Sequence, residues 1–178
     1  FDGIPFEIRD TMVRVQPGKQ QRIDFQPAPA AGIHFLHFTE QAGGMIGAYT
    51  LVYADGTRVE VPLQGGINIQ DWWLADPLPF AAQAYTDAFP ASPEKQQKIG
   101  FWRFSVRNPH PDTPLAAIEV KNSDGMVTIN LIAVSLTETC DETIGAVPVW
   151  VVGMDEEQFL LAVLNQEGST GDKVMACA

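Results

Sequence analysis

Basic residues are scarce in this chain: 11 Lys and Arg stand against 22 Asp and Glu, giving a formal charge of −11 at pH 7. Nucleic-acid affinity rests mainly on phosphate neutralisation by Lys and Arg, so this balance argues against a nucleic-acid partner. An anionic membrane surface is disfavoured on the same ground. Long apolar runs are missing too. None approaches the roughly 20 residues needed to cross a bilayer, so no direct membrane span is expected and the chain reads as soluble, or as the soluble part of something larger. It starts at Phe1 rather than Met, as it would if a signal peptide, an anchor or an upstream domain had been removed, or if the chain had simply been cut there. Cysteine is limited to Cys140 and Cys177. They are either two lone thiols or one disulfide closing the C-terminal segment, which would stabilise by about 4 kcal/mol in the chain-entropy view.

Catalytic signatures are equally thin. The chain has no G-x-S-x-G elbow, no P-loop, no G-x-G-x-x-G and no H-E-x-x-H. Its 3 histidines and 2 cysteines show no zinc-ligand spacing. The carboxylates of Asp71, Asp76, Asp87, Asp112 and Asp124 are scattered, and no EF-hand pattern occurs. A carboxylate pair suited to glycoside hydrolysis is a spatial arrangement that spacing cannot reveal. The expectation is a protein that is not an enzyme.

What is present is a well-patterned core. Of the 178 residues 46% are hydrophobic and only 19% charged, enough for one domain with a substantial interior and a sparsely charged surface. The most regular stretch is Tyr49 to Trp73. Tyr49, Leu51 and Tyr53 share one face at period two, and Val59, Val61 and Leu63 resume the alternation beyond Asp55-Gly56, which is expected to supply the φ > 0 positions of a two-residue hairpin turn. A glycine loop then leads to the adjacent Trp72 and Trp73.

Elsewhere Ile4, Phe6 and Ile8 suggest an opening edge strand, and Met12 to Val15 and Gln20 to Phe25 suggest two more. Ile33 to Phe38 is apolar on both faces except for His34 and His37, the pattern of a central strand covered on both sides. Those histidines fall on opposite faces and are expected to be satisfied structural groups. Ala75 to Lys98 contains four prolines and no sustained period, so a long surface loop with one helical turn near Ala81 to Ala84 is predicted. In Ile99 to Val106, Trp102, Phe104 and Val106 face one way and Arg103, Ser105 and Arg107 the other. Leu115 to Lys121 and Met126 to Leu136 read as strands, and Ile144 to Val152 as a further one. Asp155 to Gly168 reads as a helix, with Asp155 as cap, Phe159, Leu160, Val163 and Leu164 as an apolar stripe, and Gly168 as its end.

About ten short strands with a helix only at the end predict an all-β, antiparallel β-sandwich. The expected division is a sandwich over residues 1–136 and an extension over 137–178 that packs on the sandwich or on a partner.

The segments GIPFEI (Gly3 to Ile8), FLHF (Phe35 to Phe38), YTLVYADGT (Tyr49 to Thr57), INIQDWW (Ile67 to Trp73) and RNPHPDTPLAAIEV (Arg107 to Val120), in that order, resemble bacterial galactose-binding-domain-like jelly rolls. Such domains are found beside glycoside hydrolases and in envelope-associated or secreted proteins. The resemblance covers roughly Phe1 to Leu136, and the residues from Thr137 onward depart from it. It implies a jelly-roll fold, a non-catalytic and often carbohydrate-binding role, an extracellular or periplasmic location, and in some members a structural calcium ion.

Sugar recognition needs a flat aromatic face for the C–H surface of a pyranose and planar polar groups for paired hydroxyls. Trp72 or Trp73, with Asn68 and Asp71, supply both types in one loop, and Tyr85 is a candidate second platform. Neighbours on an extended segment point opposite ways, so one tryptophan is expected in the core and the other free. Arg107 and His110 complete the candidate carbohydrate-binding set, although solvated surface or an ion pair accounts for such charges equally well. Two functions are expected from these residues. One is a carbohydrate-binding or similar small-ligand accessory module of an exported protein. The other is a structural or interaction subunit of a larger envelope-associated assembly.

Overall fold

The structure is a computed structural model and describes residues 4–8, 11–41, 43–74, 76–88 and 98–140. The described residues form nine strands: β1 (Val13–Val15), β2 (Gln20–Ala28), β3 (Gly32–Glu40), β4 (Met45–Tyr53), β5 (Arg58–Gln64), β6 (Ala82–Ala88), β7 (Lys98–Arg107), β8 (Leu115–Asn122) and β9 (Thr128–Thr137). They pair as a five-stranded sheet, order β1-β9-β3-β7-β6, and a four-stranded sheet, order β2-β8-β4-β5. Every strand pair is antiparallel. The chain crosses between layers at each step from β1 to β4. With β6 set aside as an added edge strand, the order is that of a jelly roll, two interleaved Greek keys. The fold is therefore the expected antiparallel β-sandwich.

Period-two alternation builds its core. Phe35 of β3, Tyr49, Leu51 and Tyr53 of β4, Val61 and Leu63 of β5, Trp102, Phe104 and Val106 of β7, and Ile118 and Val120 of β8 all lie buried between the layers. The Phe35 and Tyr49 rings stack across the interface at 4.1 Å between centroids, tying the two sheets together. His37 belongs to the same inner face; β3 is central in its sheet, between β9 and β7, and its residues are buried on both faces from Gly32 to Thr39. One extra residue in β9, Ile132, forms a bulge opposite the Leu36–His37 step.

Several expectations change in the structure. The turn after β4 holds three residues rather than two. Gly56 N–H donates to the Tyr53 carbonyl at 3.0 Å, Tyr53 N–H donates to the Thr57 carbonyl at 2.9 Å, and only Gly56 has positive φ, at 90°. This is a type I turn followed by a left-handed glycine, and Asp55 serves it by accepting Thr57 N–H at 2.9 Å. Residues 4–8 form no strand, despite their alternation; Pro5 has no N–H to offer a ladder, and Ile8 stays exposed. The predicted loop from Ala75 to Lys98 contains strand β6, paired with β7 from Ala82↔Arg103 to Ala88↔Lys98. Backbone pairing at a sheet edge needs no hydrophobic period, so a run of small and polar residues concealed it. Arg103 and Ser105 leave the inner face as predicted, and they are buried on the other side of the sheet. Among the described residues no helix is long and apolar enough to cross a membrane. The expected strand Ile144 to Val152 and the expected helix Asp155 to Gly168 lie outside the described residues, which end at Cys140.

Candidate ligand-binding cleft

The loop after β5 is locked from inside. Asn68 is fully buried; its Oδ1 accepts Gln64 N–H and its Nδ2 donates to the Pro62 carbonyl, both at 2.9 Å. The Gln64 carbonyl receives Ile67 N–H and Asn68 N–H, both at 3.2 Å, which closes the loop tightly. A side chain at Gly65 would place its Cβ 1.9 Å from the Gly43 carbonyl oxygen, so only glycine permits this approach. The loop then runs beside the end of β3: Thr39 N–H donates to Gln70 O at 2.8 Å and Trp72 N–H to Thr39 O at 3.0 Å. Gly100 N–H of β7 donates to Trp72 O at 2.9 Å. These bonds fix the tryptophans at one end of the five-stranded sheet.

There Phe38, Glu40, Gln41, Asp71, Trp72, Trp73, Ile99 and Phe101 line an open cleft of about 470 Å³. The Trp72 and Trp73 ring centroids are 4.2 Å apart at 43°, and those of Phe38 and Phe101 are 5.0 Å apart at 32°. Asp71 Oδ1 accepts Trp73 N–H at 3.1 Å, and Leu74 N–H donates to Asp71 O at 2.8 Å. The segment is therefore a turn, not a strand. That is why the expectation of one core and one free tryptophan gives way to two half-buried rings lying together. Glu40 is held from outside the cleft, with Arg14 Nη2 2.6 Å from its Oε2 and Asn130 Nδ2 3.4 Å from its Oε1. Gln41 adopts φ 72°, a left-handed conformation that non-glycine residues rarely take.

Of the residues proposed from sequence, Asp71, Trp72 and Trp73 meet in this cleft. Asn68 does not join them, because its amide is spent on the backbone of its own loop. Tyr85 sits on β6 in register with Phe101. Arg107 pairs with Gly32 at the other end of β3, about 20 Å away at a strand's rise per residue, and His110 follows it. His110 is exposed, and its ring meets the edge of buried Tyr53 at 5.2 Å. Neither joins the tryptophans. Asn108 serves the turn, as expected of its position before Pro109: its Oδ1 accepts the Tyr53 hydroxyl and His110 N–H, and its Nδ2 donates to Ala30 O at 2.7 Å.

Phe38, Glu40, Gln41, Ile99 and Phe101 were not foreseen as site residues. The signal lay in β7, where Phe101 puts a large aromatic on the face opposite Trp102 and Phe104.

Both β3 histidines are satisfied groups. His37 Nε2 donates to Asn68 O at 2.9 Å and its Nδ1 accepts from the Tyr49 hydroxyl at 2.7 Å. Burial lowers His37 to about 3, against the opposing effect of its bond to Asn68. His34 lies between Ser105 Oγ at 2.8 Å and Thr137 Oγ1 at 2.9 Å. Burial, seconded by the charge of Arg103, lowers it to about 4. Among the described residues no three His, Cys, Asp or Glu side chains converge. Asp124, one of the scattered carboxylates, is turned onto the N–H groups of Met126 and Val127 at 2.6 and 2.8 Å. Cys140 is disulfide-bonded, and Cys177 lies outside the described residues.

The fold and the cleft define the class: an antiparallel β-sandwich domain with an aromatic cleft at one end of its five-stranded sheet. Comparisons of the chain with known protein families and with curated proteins returned no match.

Proposed function

We propose that this domain is a non-catalytic accessory module of an exported protein and that it takes a saccharide in the cleft of Trp72 and Trp73. The observation that carries this reading is the pairing of these two half-buried rings with Phe38 and Phe101 around one open cleft, fringed by the planar polar groups of Glu40, Gln41 and Asp71. Aromatic faces cover the C–H surface of a pyranose, and planar groups bond adjacent hydroxyls. The rigid backbone beneath the loop limits the ordering cost of binding. A disulfide at Cys140 favours an oxidising compartment, extracellular or periplasmic.

Tryptophan fluorescence and calorimetric titration with a broad oligosaccharide panel test the reading. Trp72→Ala and Trp73→Ala are each expected to weaken binding at least tenfold while leaving a cooperative thermal transition. Silence across the panel, or unchanged binding in both variants, would overturn it.

A second reading, a structural or interaction subunit of a larger envelope-associated assembly, draws on an apolar cleft of about 460 Å³ where β2 faces β9, lined by Val13, Ile23, Phe25, Val134 and Leu136 among others. Proteins co-purifying with the domain, together with no response to sugars, would select it.

A further inference from the structure

Charge distinguishes this cleft from a generic sugar platform. Among the described residues its lining includes two carboxylates, Glu40 and Asp71, and no Lys, Arg or His. Arg14 reaches Glu40 at 2.6 Å from β1 without lining the cleft, so it offsets that charge from behind. Asp71 is held differently: its Oδ1 bonds Trp73 N–H, which fixes the carboxylate beside the ring pair. Four aromatic rings add their negative π faces to the same space, and a cation over such faces is attracted electrostatically, most strongly by tryptophan. A neutral ligand would draw nothing from this arrangement that an amide could not supply. An anionic ligand would be repelled by it, and by the −11 charge of the chain.

Resting on the saccharide reading, we propose that the cleft selects saccharides bearing a protonated amine, of the glucosamine type, with the ammonium set against Asp71 and the tryptophan faces. The hydroxyl-bearing ring then lies along Phe38 and Phe101. N-acetylation would remove the charge and with it the preference. Uronic-acid sugars would be excluded.

The test titrates the intact protein, by calorimetry and tryptophan fluorescence below the pKa of the amine, with four oligosaccharides of matched length: β-1,4-linked glucosamine, its N-acetylated form, a neutral glucan and a uronic-acid oligomer. Choline is the sugar-free cation. Glucosamine oligomers are expected to bind at least tenfold tighter than the acetylated or neutral ones, with no binding of the uronate. Asp71→Asn is expected to abolish the tenfold preference for the amine-bearing oligomer over the acetylated one, and raising salt is expected to weaken the amine-bearing ligand alone. Equal or tighter binding of acetylated or neutral oligomers, unaffected by Asp71→Asn, would overturn the charge selection and leave the saccharide reading standing. Binding of choline with no saccharide bound would overturn the saccharide reading and uphold the selection for a cation. No response to any of the five would overturn both.

Discussion

His37 and Tyr49 meet across the interior, Nδ1 to hydroxyl at 2.7 Å, joining the central strand of one sheet to the other sheet by a hydrogen bond in the apolar core. The Asn68 carbonyl can only accept, so His37 carries its proton on Nε2 and the tyrosine must donate to Nδ1. Tyr49→Phe would leave Nδ1 buried without a donor. The expected cost is about 1–3 kcal/mol of unfolding free energy, measured by urea denaturation, with the fold retained because the ring still stacks on Phe35. Wild-type stability in that variant would show the bond to be unimportant.

Acid should weaken the fold in a window set by these histidines. Both stay neutral in the folded protein down to about 4 for His34 and about 3 for His37, against an ordinary value of 6.5. The unfolded chain takes up protons at both as the pH falls through 6.5. Over that interval the unfolded state binds more protons than the folded one, so stability rises with pH and is lost on acidification. The expected slope below pH 6.5 is up to about 1.4 kcal/mol per pH unit for His37. Urea midpoints between pH 7 and 4.5 measure it, and a flat profile would contradict the burial of the neutral ring.

Glu119 on the outer face of the four-stranded sheet is gripped by Arg58, by Arg22 at 2.8 Å and by Gln20 at 2.7 Å. The hydrogen bond from Arg58, opposed by burial and seconded by Arg22, holds its carboxyl below the ordinary 4.5. That contribution is present above pH 4.5 and disappears as the pH falls through the folded value. Both arginines are nearly half exposed, so solvent screens the pairs. Arg58→Ala and Arg22→Ala are each expected to destabilise the fold at low salt and to do so less at high salt. Denaturation curves at two ionic strengths check this.

Gln41 holds a left-handed backbone at the cleft wall. Strain of this kind costs a non-glycine residue roughly 1–2 kcal/mol. Gln41→Gly should therefore raise the unfolding free energy by about 1 kcal/mol, after glycine's greater loss of freedom is subtracted. The same variant should weaken any ligand that uses the amide. A destabilised variant would show that the side chain, not the backbone, governs this position.

Much of the sandwich was legible in the chain because alternation is a local consequence of pleating. Tyr49, Leu51 and Tyr53, or Trp102, Phe104 and Val106, announce a buried face without reference to any partner. Positions that depend on something distant were not legible. The edge strand β6 borrows its hydrogen bonds from β7, and the short loop at Asp55-Gly56 needed backbone angles that the residue pair alone leaves open.

The candidate site divides in the same way. Composition and spacing put two tryptophans beside an aspartate, and that much is sequence. Asn68 sits among them in the chain, yet folding turns its amide inward, because unbonded backbone groups in a buried loop cost more than an asparagine at the surface gains. Arg107 and His110 were drawn into the same set by residue type, and antiparallel pairing carried them to the far end of β3. Local side-chain pattern determined the layers of this protein. Only the long-range register of β3 against β7, and of the glycine loop against Thr39, decided which side chains share a cleft, since contacts between residues far apart in sequence leave no periodic trace.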